Sequence, residues 1–152
     1  MNGTPMIQSG GQTGADRAAL DWAIANGISH RGWCPFGRMA EDGPLSECYQ
    51  LRETASPAYA ERTRLNVLES DGTAILTVGT KLGGGSLLTK QEARKAGKPV
   101  VHLNTETASP EKKLLKFVKA NSIEVLNVAG PRASGEPGAY AFVKAVLDAA
   151  FT

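Results

Sequence analysis

Short apolar runs alternate with stretches of helical periodicity along most of the chain. Strands that alternate in this way with helices favour a parallel sheet joined by crossover helices. The sequence therefore predicts the α/β class: a three-layer, doubly wound parallel sheet of about five strands with helices on both faces. The apolar runs predicted to be strands lie at residues 6–9, 29–33, 73–78, 99–103 and 123–128.

Start and stop signals delimit the helices between these strands. Serine followed by proline is a typical N-cap and first helical residue, and Asn26-Gly27 is a typical helix end. No internal repeat or linker interrupts the pattern, so the chain is predicted to be a single ligand-binding domain over residues 1–152. Five helices are predicted, beginning near Thr13 or Gly14, at Ser56-Pro57, after Ser86, at Ser109-Pro110 and at Ala139.

The segment from Cys34 to Ala55 departs from this regularity, because it shows no sustained period of either kind. A structureless stretch of this length inside a compact domain indicates either a misassigned element or a functional loop. Cys34 itself follows a predicted strand, where a thiol could be reactive or bind a soft metal, although simple packing is the commoner role of a free cysteine.

Composition narrows the class of protein. The 152 residues are 41% hydrophobic and 21% charged, as in ordinary globular proteins, and the net charge of +2 is spread along the chain. The charges do not form the clustered basic patch that is typical of nucleic-acid-binding proteins. Residues 1–8 lack the features of a signal peptide, and no apolar run is long enough for a bilayer. We expect a cytoplasmic protein with two reduced cysteines and neither nucleic-acid nor membrane partners.

Three glycine-rich loops follow directly after predicted strands, at residues 9–14, 79–86 and 130–138. The carboxyl ends of parallel strands share one edge of the sheet, where ligands of such folds bind. Glycine lets a backbone approach a ligand closely with its N–H groups free, and helix N-termini add partial positive charge. The loops predict a pocket for a small anionic ligand that carries phosphate, unless these glycines only make tight turns.

Several familiar chemistries lack their residues. The chain contains no Gly-Lys-Ser/Thr of a nucleotide-binding P-loop, and the predicted strand at 29–33 has no acidic residue to hold the ribose of a dinucleotide. His30 and His102 lack metal-ligand spacing and are expected to be structural. Arg17, which opens the first helix, and Gly37-Arg38, near a strand end, are candidate phosphate contacts.

Residues 10–21 resemble the opening signature of the molybdenum (molybdenum cofactor) carrier protein family. The likeness covers about two thirds of the chain, and its later parts are Gly32-Trp33-Cys34-Pro35, Gly37-Arg38, residues 40–43, 49–54, Tyr59, Arg62-Thr63, Asn66-Val67, residues 70–73, 83–86 and Thr89. Phe36 departs from the pattern, since a basic residue is expected there.

The resemblance implies a Rossmann-like fold related to the lysine decarboxylase-like and nucleotide-sensing proteins. It also implies binding, protection and delivery of molybdenum cofactor (molybdopterin) without catalysis, with molybdate or tungstate as other possible occupants. Family members are expected to be homo-oligomers, dimers or tetramers, with molybdoenzymes as recipients. The irregular segment belongs to the signature, so it is expected to belong to the site.

No catalytic or metal-binding residue is expected. In the predicted site, backbone N–H groups of residues 11–14 and 84–86 hold phosphate or oxo groups, two arginines supply charge, and the third loop closes over the pterin. The predicted cofactor-binding residues are Gly10, Gly11, Gln12, Thr13, Gly14, Arg17, Arg38, Gly83, Gly84, Gly85, Ser86, Thr89 and Arg132.

Two other functions stay open at this point. Related phosphoribohydrolases carry a glycine motif that ends in a catalytic glutamate, but residues 82–90 here lack it, and Glu92 lies about a turn further on. An enzyme that hydrolyses nucleotide 5'-monophosphates would then use an acid such as Glu41, Asp42 or Glu92. A nucleotide-sensing module that signals through a partner is the third alternative.

Overall fold

The central sheet has five parallel strands, which confirms the predicted α/β class. The computed structural model describes residues 4–152. The predictions of a single domain over residues 1–152 and of no signal peptide in residues 1–8 both include residues 1–3, which lie outside this range. In spatial order the strands are β2 (His30–Arg31), β1 (Met6–Gln8), β9 (Val125–Ala129), β7 (Gly72–Thr77) and β8 (Val100–Asn104).

Helices cover both faces of this sheet, as predicted. Helices α1 (Ala15–Ala25), α4 (Pro110–Ala120) and α5 (Ala139–Phe151) pack together, and α2 (Tyr59–Leu68) packs against α3 (Gly84–Lys95). Every residue of β7, which lies between β9 and β8, is buried, as its apolar pattern predicts. None of the described helices combines the length and apolar character needed to cross a membrane.

The predicted strand 29–33 is interrupted at Gly32. His30 and Arg31 pair with β1, whereas Trp33–Cys34 forms a separate strand, β3, that pairs with β6 (Arg52–Glu53). A Cβ at Gly32 would overlap the carbonyl oxygen of Ser9, so only glycine allows this close approach. The prediction of one continuous strand over residues 29–33 was wrong, because the sequence pattern does not show that the chain changes from one sheet to another at Gly32.

The segment from Cys34 to Ala55 is structured, although its pattern gave no sign of it. Besides β3 and β6 it contains a short antiparallel hairpin of β4 (Met39–Ala40) and β5 (Gly43–Pro44). Cys34 lies at the centre of a small apolar cluster of its own, with Ala40 and Leu45 buried beside it. Burial raises the pKa of the Cys34 thiol, which fits packing better than reactivity.

Two predicted helix starts need correction. Helix α2 begins at Tyr59 with Ala58 as its N-cap, so Pro57 precedes the helix and is not its first residue. The Ser56 hydroxyl accepts a hydrogen bond from the Ala58 N–H (3.1 Å), which forms a turn before the helix. Helix α3 begins at Gly84 inside the predicted loop 79–86, which places two glycines and Ser86 in its first turn.

Candidate functional site

The three glycine loops meet at one edge of the sheet. Strands β1, β9 and β7 are neighbours, so the loops that follow them emerge side by side. We call them the first loop (residues 9–14), the second loop (78–83) and the third loop (130–138). Between them and helix α2 lies a cavity of about 300 Å³. Its wall consists of Gln12, Asp16, Arg62, Thr63, residues 83–86, Thr89, residues 129–132 and Gly135.

The amino terminus of α3 forms the open side of this cavity. Three glycines at this end, Gly83, Gly84 and Gly85, are exposed. A Cβ built on any of them meets no atom within 4 Å. The N–H groups that open a helix carry partial positive charge, which suits an anion. The Ser86 N–H, predicted as a ligand contact, donates instead to the Gly83 carbonyl (3.1 Å), which leaves the N–H groups of Gly84 and Gly85 for a ligand. Ser86 is buried beside them, and the Thr89 hydroxyl donates back to the Gly85 carbonyl (2.8 Å).

A buried ion pair forms the floor of the cavity. Arg62 on α2 donates to the Asp16 carboxylate on α1 at 2.7 Å, and both side chains are largely buried. Burial raises the pKa of Asp16, while Arg62 and the N–H groups of Gln12 and Gly130 oppose that rise. Sequence reasoning missed both residues as site residues, although each stands inside a stretch that carried the family resemblance.

Gln12 contributes a donor with a fixed orientation. Its side-chain oxygen accepts hydrogen bonds from the N–H groups of Thr13 (3.0 Å) and Glu41 (2.8 Å). The amide nitrogen is therefore the other end of the group, and this buried atom has no hydrogen-bond partner among residues 4–152. The buried Nε atom of Arg62 is unpaired in the same part of the chain. Unpaired buried donors of this kind are costly and favour a ligand that accepts hydrogen bonds.

Arg132, the predicted site residue of the third loop, lies in the cavity wall and adds positive charge there. Its guanidinium lies 5.4 Å from the centre of the Tyr59 ring, and Arg62 lies 5.5 Å from the same ring. Tyr59 thus stands between two cations, both of which line the cavity. Arg132 is exposed, so its charge is available at the cavity mouth.

The first loop differs from the prediction, because most of its polar groups bond to the chain itself. The Gly11 N–H donates to the Ser9 hydroxyl (3.4 Å), the Gln12 N–H to the Asp16 carboxylate, and the Thr13 N–H to the Gln12 side chain. Of this loop only Gln12 lines the cavity. Protein oxygens thus accept the N–H groups of Gly11, Gln12 and Thr13, which belong to the predicted phosphate cradle of residues 11–14.

Gly10, Gly11 and Gly14 serve packing in the structure. A Cβ on Gly10 would overlap the guanidinium of Arg62, and one on Gly11 would lie 2.9 Å from a Leu45 methyl group. These glycines bring other parts of the chain close to the loop. They do not leave the loop open to a ligand.

Arg17 and Arg38, the predicted charge donors, lie outside the cavity wall and are already engaged. Arg17 donates to both carboxylate oxygens of Asp42 at 3.0 and 3.1 Å. Arg38 donates to three backbone carbonyls, those of Ser46 (2.8 Å), Tyr49 (2.8 Å) and Leu51 (3.3 Å). The structure gives both arginines a role in fixing the irregular segment, because their donors are consumed there.

The hairpin of β4 and β5 ties the irregular segment to the loops. Glu41 accepts hydrogen bonds from the Ser134 hydroxyl (2.6 Å), the Ser134 N–H (3.1 Å) and the Thr13 hydroxyl. These bonds, led by that of the Ser134 hydroxyl, hold the pKa of Glu41 below its ordinary value. The irregular segment was expected to belong to the site. Its residues are not in the cavity wall, and it supports the site by fixing the third loop.

The acids proposed for a hydrolase do not lie in the cavity wall. Glu41 and Asp42 are held by the partners named above, and Glu92 has its carboxylate 4.0 Å from the Lys95 ammonium. His102 is hydrogen-bonded to the Thr77 hydroxyl at 2.6 Å. In the described part of the chain, no three His, Cys, Asp or Glu side chains are grouped as metal ligands.

These features define the class of protein: a Rossmann-like α/β protein with a cavity at the carboxyl edge of its sheet. Residues 7–151 match the model of the circularly permutated YpsA SLOG family, and the chain belongs to that family.

The chain is also similar to a solved structure named "Putative molybdenum carrier protein" from Syntrophus aciditrophicus SB. The two chains superpose with a TM-score of 0.96 at 42% sequence identity, over 99% of this chain and 96% of that one. No curated protein matches the chain. The family recognised from the sequence motifs is thus confirmed.

Proposed function

We propose that this protein is a carrier that binds molybdenum cofactor through its phosphate, protects it and delivers it to a molybdoenzyme. The open amino terminus of α3 carries the proposal. There Gly84 and Gly85 line a cavity whose wall also contains two arginines, Arg62 and Arg132. Such a helix end is suited to phosphate. The name of the similar solved structure supports a molybdenum-related ligand.

The size of the cavity favours the whole cofactor over a bare oxyanion. A volume of about 300 Å³ lies at the lower end of small-molecule pockets, which start at about 300 Å³. A single molybdate or tungstate would fill only part of this space. A phosphate with an attached ring uses more of it.

The polar groups of the cavity support binding without turnover. Asp16 is the acid in the described cavity wall, and it is paired with Arg62 at 2.7 Å. A general acid must be able to give a proton to the leaving group at the reacting centre. A buried carboxylate held by a guanidinium and two N–H groups is poorly placed for that task. Carriage needs no such group.

The proposal can be tested on the purified protein. Bound pterin is released by oxidation and detected by its fluorescence, and metal content is measured on the same batch. Another portion is incubated with nucleoside monophosphates and assayed for free base. We expect pterin and no base. Release of free nucleobase at catalytic rates would establish a hydrolase instead. Molybdenum or tungsten in the protein without pterin would establish an oxyanion carrier.

Two arginine variants locate the binding. Arg132→Ala removes an exposed cation of the cavity wall, and we expect affinity for the released cofactor to fall about tenfold. Arg94→Ala is the matched control, because Arg94 is exposed in the last turn of α3, at the other end of that helix from the cavity. Affinity is measured by fluorescence titration. Equal effects of the two variants would contradict the assignment of this cavity.

A further inference from the structure

A second cavity of about 310 Å³ adjoins the first at the amino terminus of α3. Part of the wall is common to both cavities, so one ligand can extend from the first into the second. The residues in common are Gly83, Ser86, Pro131 and Gly135, and the second cavity adds Thr77, Lys81, Leu82 and Glu136.

Glu136 on the third loop is held rigidly in this second cavity. One carboxylate oxygen accepts the N–H of Val78 at 2.7 Å, and the other accepts the N–H of Gly79 at 3.2 Å. Both N–H groups follow the end of strand β7, so the carboxylate is anchored to the sheet. A carboxylate has about four lone-pair sites, and these bonds use two. Glu136 therefore keeps acceptor capacity in a fixed orientation.

The two cavities have opposite chemistry. The first offers N–H groups and guanidinium groups, which bind an anion. In the second, an anchored carboxylate lies beside Lys81 and Leu82. A carboxylate recognises neighbouring N–H groups, such as a ring N–H next to an exocyclic amino group. The ligand that satisfies both has a phosphate at one end and a ring with that pair of donors at the other.

We infer that Glu136 reads the ring of the ligand by accepting hydrogen bonds from a ring N–H and the adjacent amino group. This inference rests on the proposed function and names the residue that selects the heterocycle. Pterins and guanine share this amino-oxopyrimidine edge, so the test must separate the two sources. Glu136 is a specificity-determining residue here and takes part in no bond-making step.

The experiment compares two pairs of probes that differ in the amino group. The first pair is a pterin with a phosphate-terminated side chain and the matching lumazine phosphate, which carries an oxo group in place of the amino group. The second pair is guanosine monophosphate and inosine monophosphate. We expect the native protein to prefer the amino-bearing member of the pterin pair about tenfold. Dissociation constants are measured by calorimetry.

Glu136→Gln should abolish this preference, because one carboxylate oxygen is replaced by an amide NH2 group, which donates hydrogen bonds and cannot accept one. Glu124→Gln is the matched control: Glu124 is exposed and precedes β9, at the opposite edge of the sheet. Orthophosphate, which needs only the α3 terminus, reports whether each variant still folds around that terminus. A structural role alone would weaken both members of a pair equally and leave their ratio unchanged.

The outcomes are distinct for the inference and for the proposed function. A native ratio near one, or a ratio that survives in Glu136→Gln, overturns the inference even if pterin phosphate binds well. Preference for guanosine monophosphate with no binding of either pteridine would support the reading by Glu136 and overturn the cofactor proposal. Failure of all four probes to bind overturns both.

Discussion

Two glycine clusters of similar sequence have opposite surroundings in this protein. Each follows a buried strand and precedes a helix, and each was predicted to cradle an anion. In the first loop, a Cβ on Gly14 would overlap the Pro131 carbonyl oxygen and lie 2.8 Å from the Ala133 nitrogen. At Gly85 a Cβ would meet no atom within 4 Å. One cluster is therefore filled by the chain, and the other is open to a ligand.

The helices that follow the two clusters repeat this contrast. At α1 the Ala15 N–H donates to the Pro131 carbonyl at 3.2 Å, and the Asp16 carboxylate accepts N–H groups of two loops. At α3 the first-turn residues Gly84 and Gly85 line the cavity and are exposed. The α1 terminus thus binds the protein's own oxygens, whereas the α3 terminus is left open. Glycine density alone does not distinguish a packing loop from a binding loop.

The largest expected effect comes from filling a packed glycine. Gly14→Ala forces a side chain into a backbone conformation with φ of 82° and into overlap with the third loop. We expect a loss of about 3–5 kcal/mol in the free energy of unfolding, since strain and overlap add. Urea denaturation measures this loss.

Gly27→Ala is the control for the Gly14 variant. Gly27 also has a positive φ, of 66°, but a Cβ there meets no atom within 4 Å. It should lose only about 1 kcal/mol, the typical cost of strain without overlap. Equal losses at the two positions would show that the first loop is not closely packed and would remove the contrast between the clusters.

The sequence was informative about the elements because their signals are local. The run 73–78 became β7 at Gly72–Thr77, and the final helix begins at Ala139 as predicted. The meeting of three loops at one edge followed from the parallel order of the strands. Glycine spacing thus located the edge of the sheet where the cavity lies, before any contact was known.

The arrangement within the site could not be predicted, because it depends on contacts between distant residues. Asp16 and Arg62 are 46 positions apart, and nothing local to either indicates their ion pair. Arg38 looked like a phosphate contact because it follows a strand. Its donors are instead used by carbonyls of the irregular segment, whose own fold had no periodic signal. Whether a glycine or arginine is free is thus a property of the packed chain.

An intermediate effect is expected from filling an open glycine. Gly85→Ala places a methyl group where a ligand must approach, but it adds a better helix former to α3. We expect stability to stay the same or rise by up to about 1 kcal/mol, while affinity for orthophosphate falls about tenfold. Denaturation and calorimetry on the same sample measure both. Undiminished phosphate affinity would place the ligand away from the α3 terminus.

The smallest expected effect concerns the hydrogen bonds by which Glu41 of the hairpin holds the third loop and the first loop together. The pKa of Glu41 lies below its ordinary value of 4.5 because the ionised carboxylate accepts bonds from Ser134 and Thr13. A lowered folded-state pKa means that this stabilisation is complete above the ordinary value and is lost as pH falls through the folded-state pKa. The third loop should therefore loosen only in acid.

The amide resonance of Ser134 reports this step, because its N–H donates to Glu41 at 3.1 Å. We expect its chemical shift to titrate with a midpoint below 4.5, while the resonances of Gly84 and Gly85 stay unchanged through the same step. In Glu41→Gln the titration should disappear, since no ionisable group remains at that position. A midpoint at or above 4.5 would mean that the hairpin does not hold the third loop in solution. The first loop would then be less enclosed than its glycine contacts indicate, and the two clusters would differ by degree only.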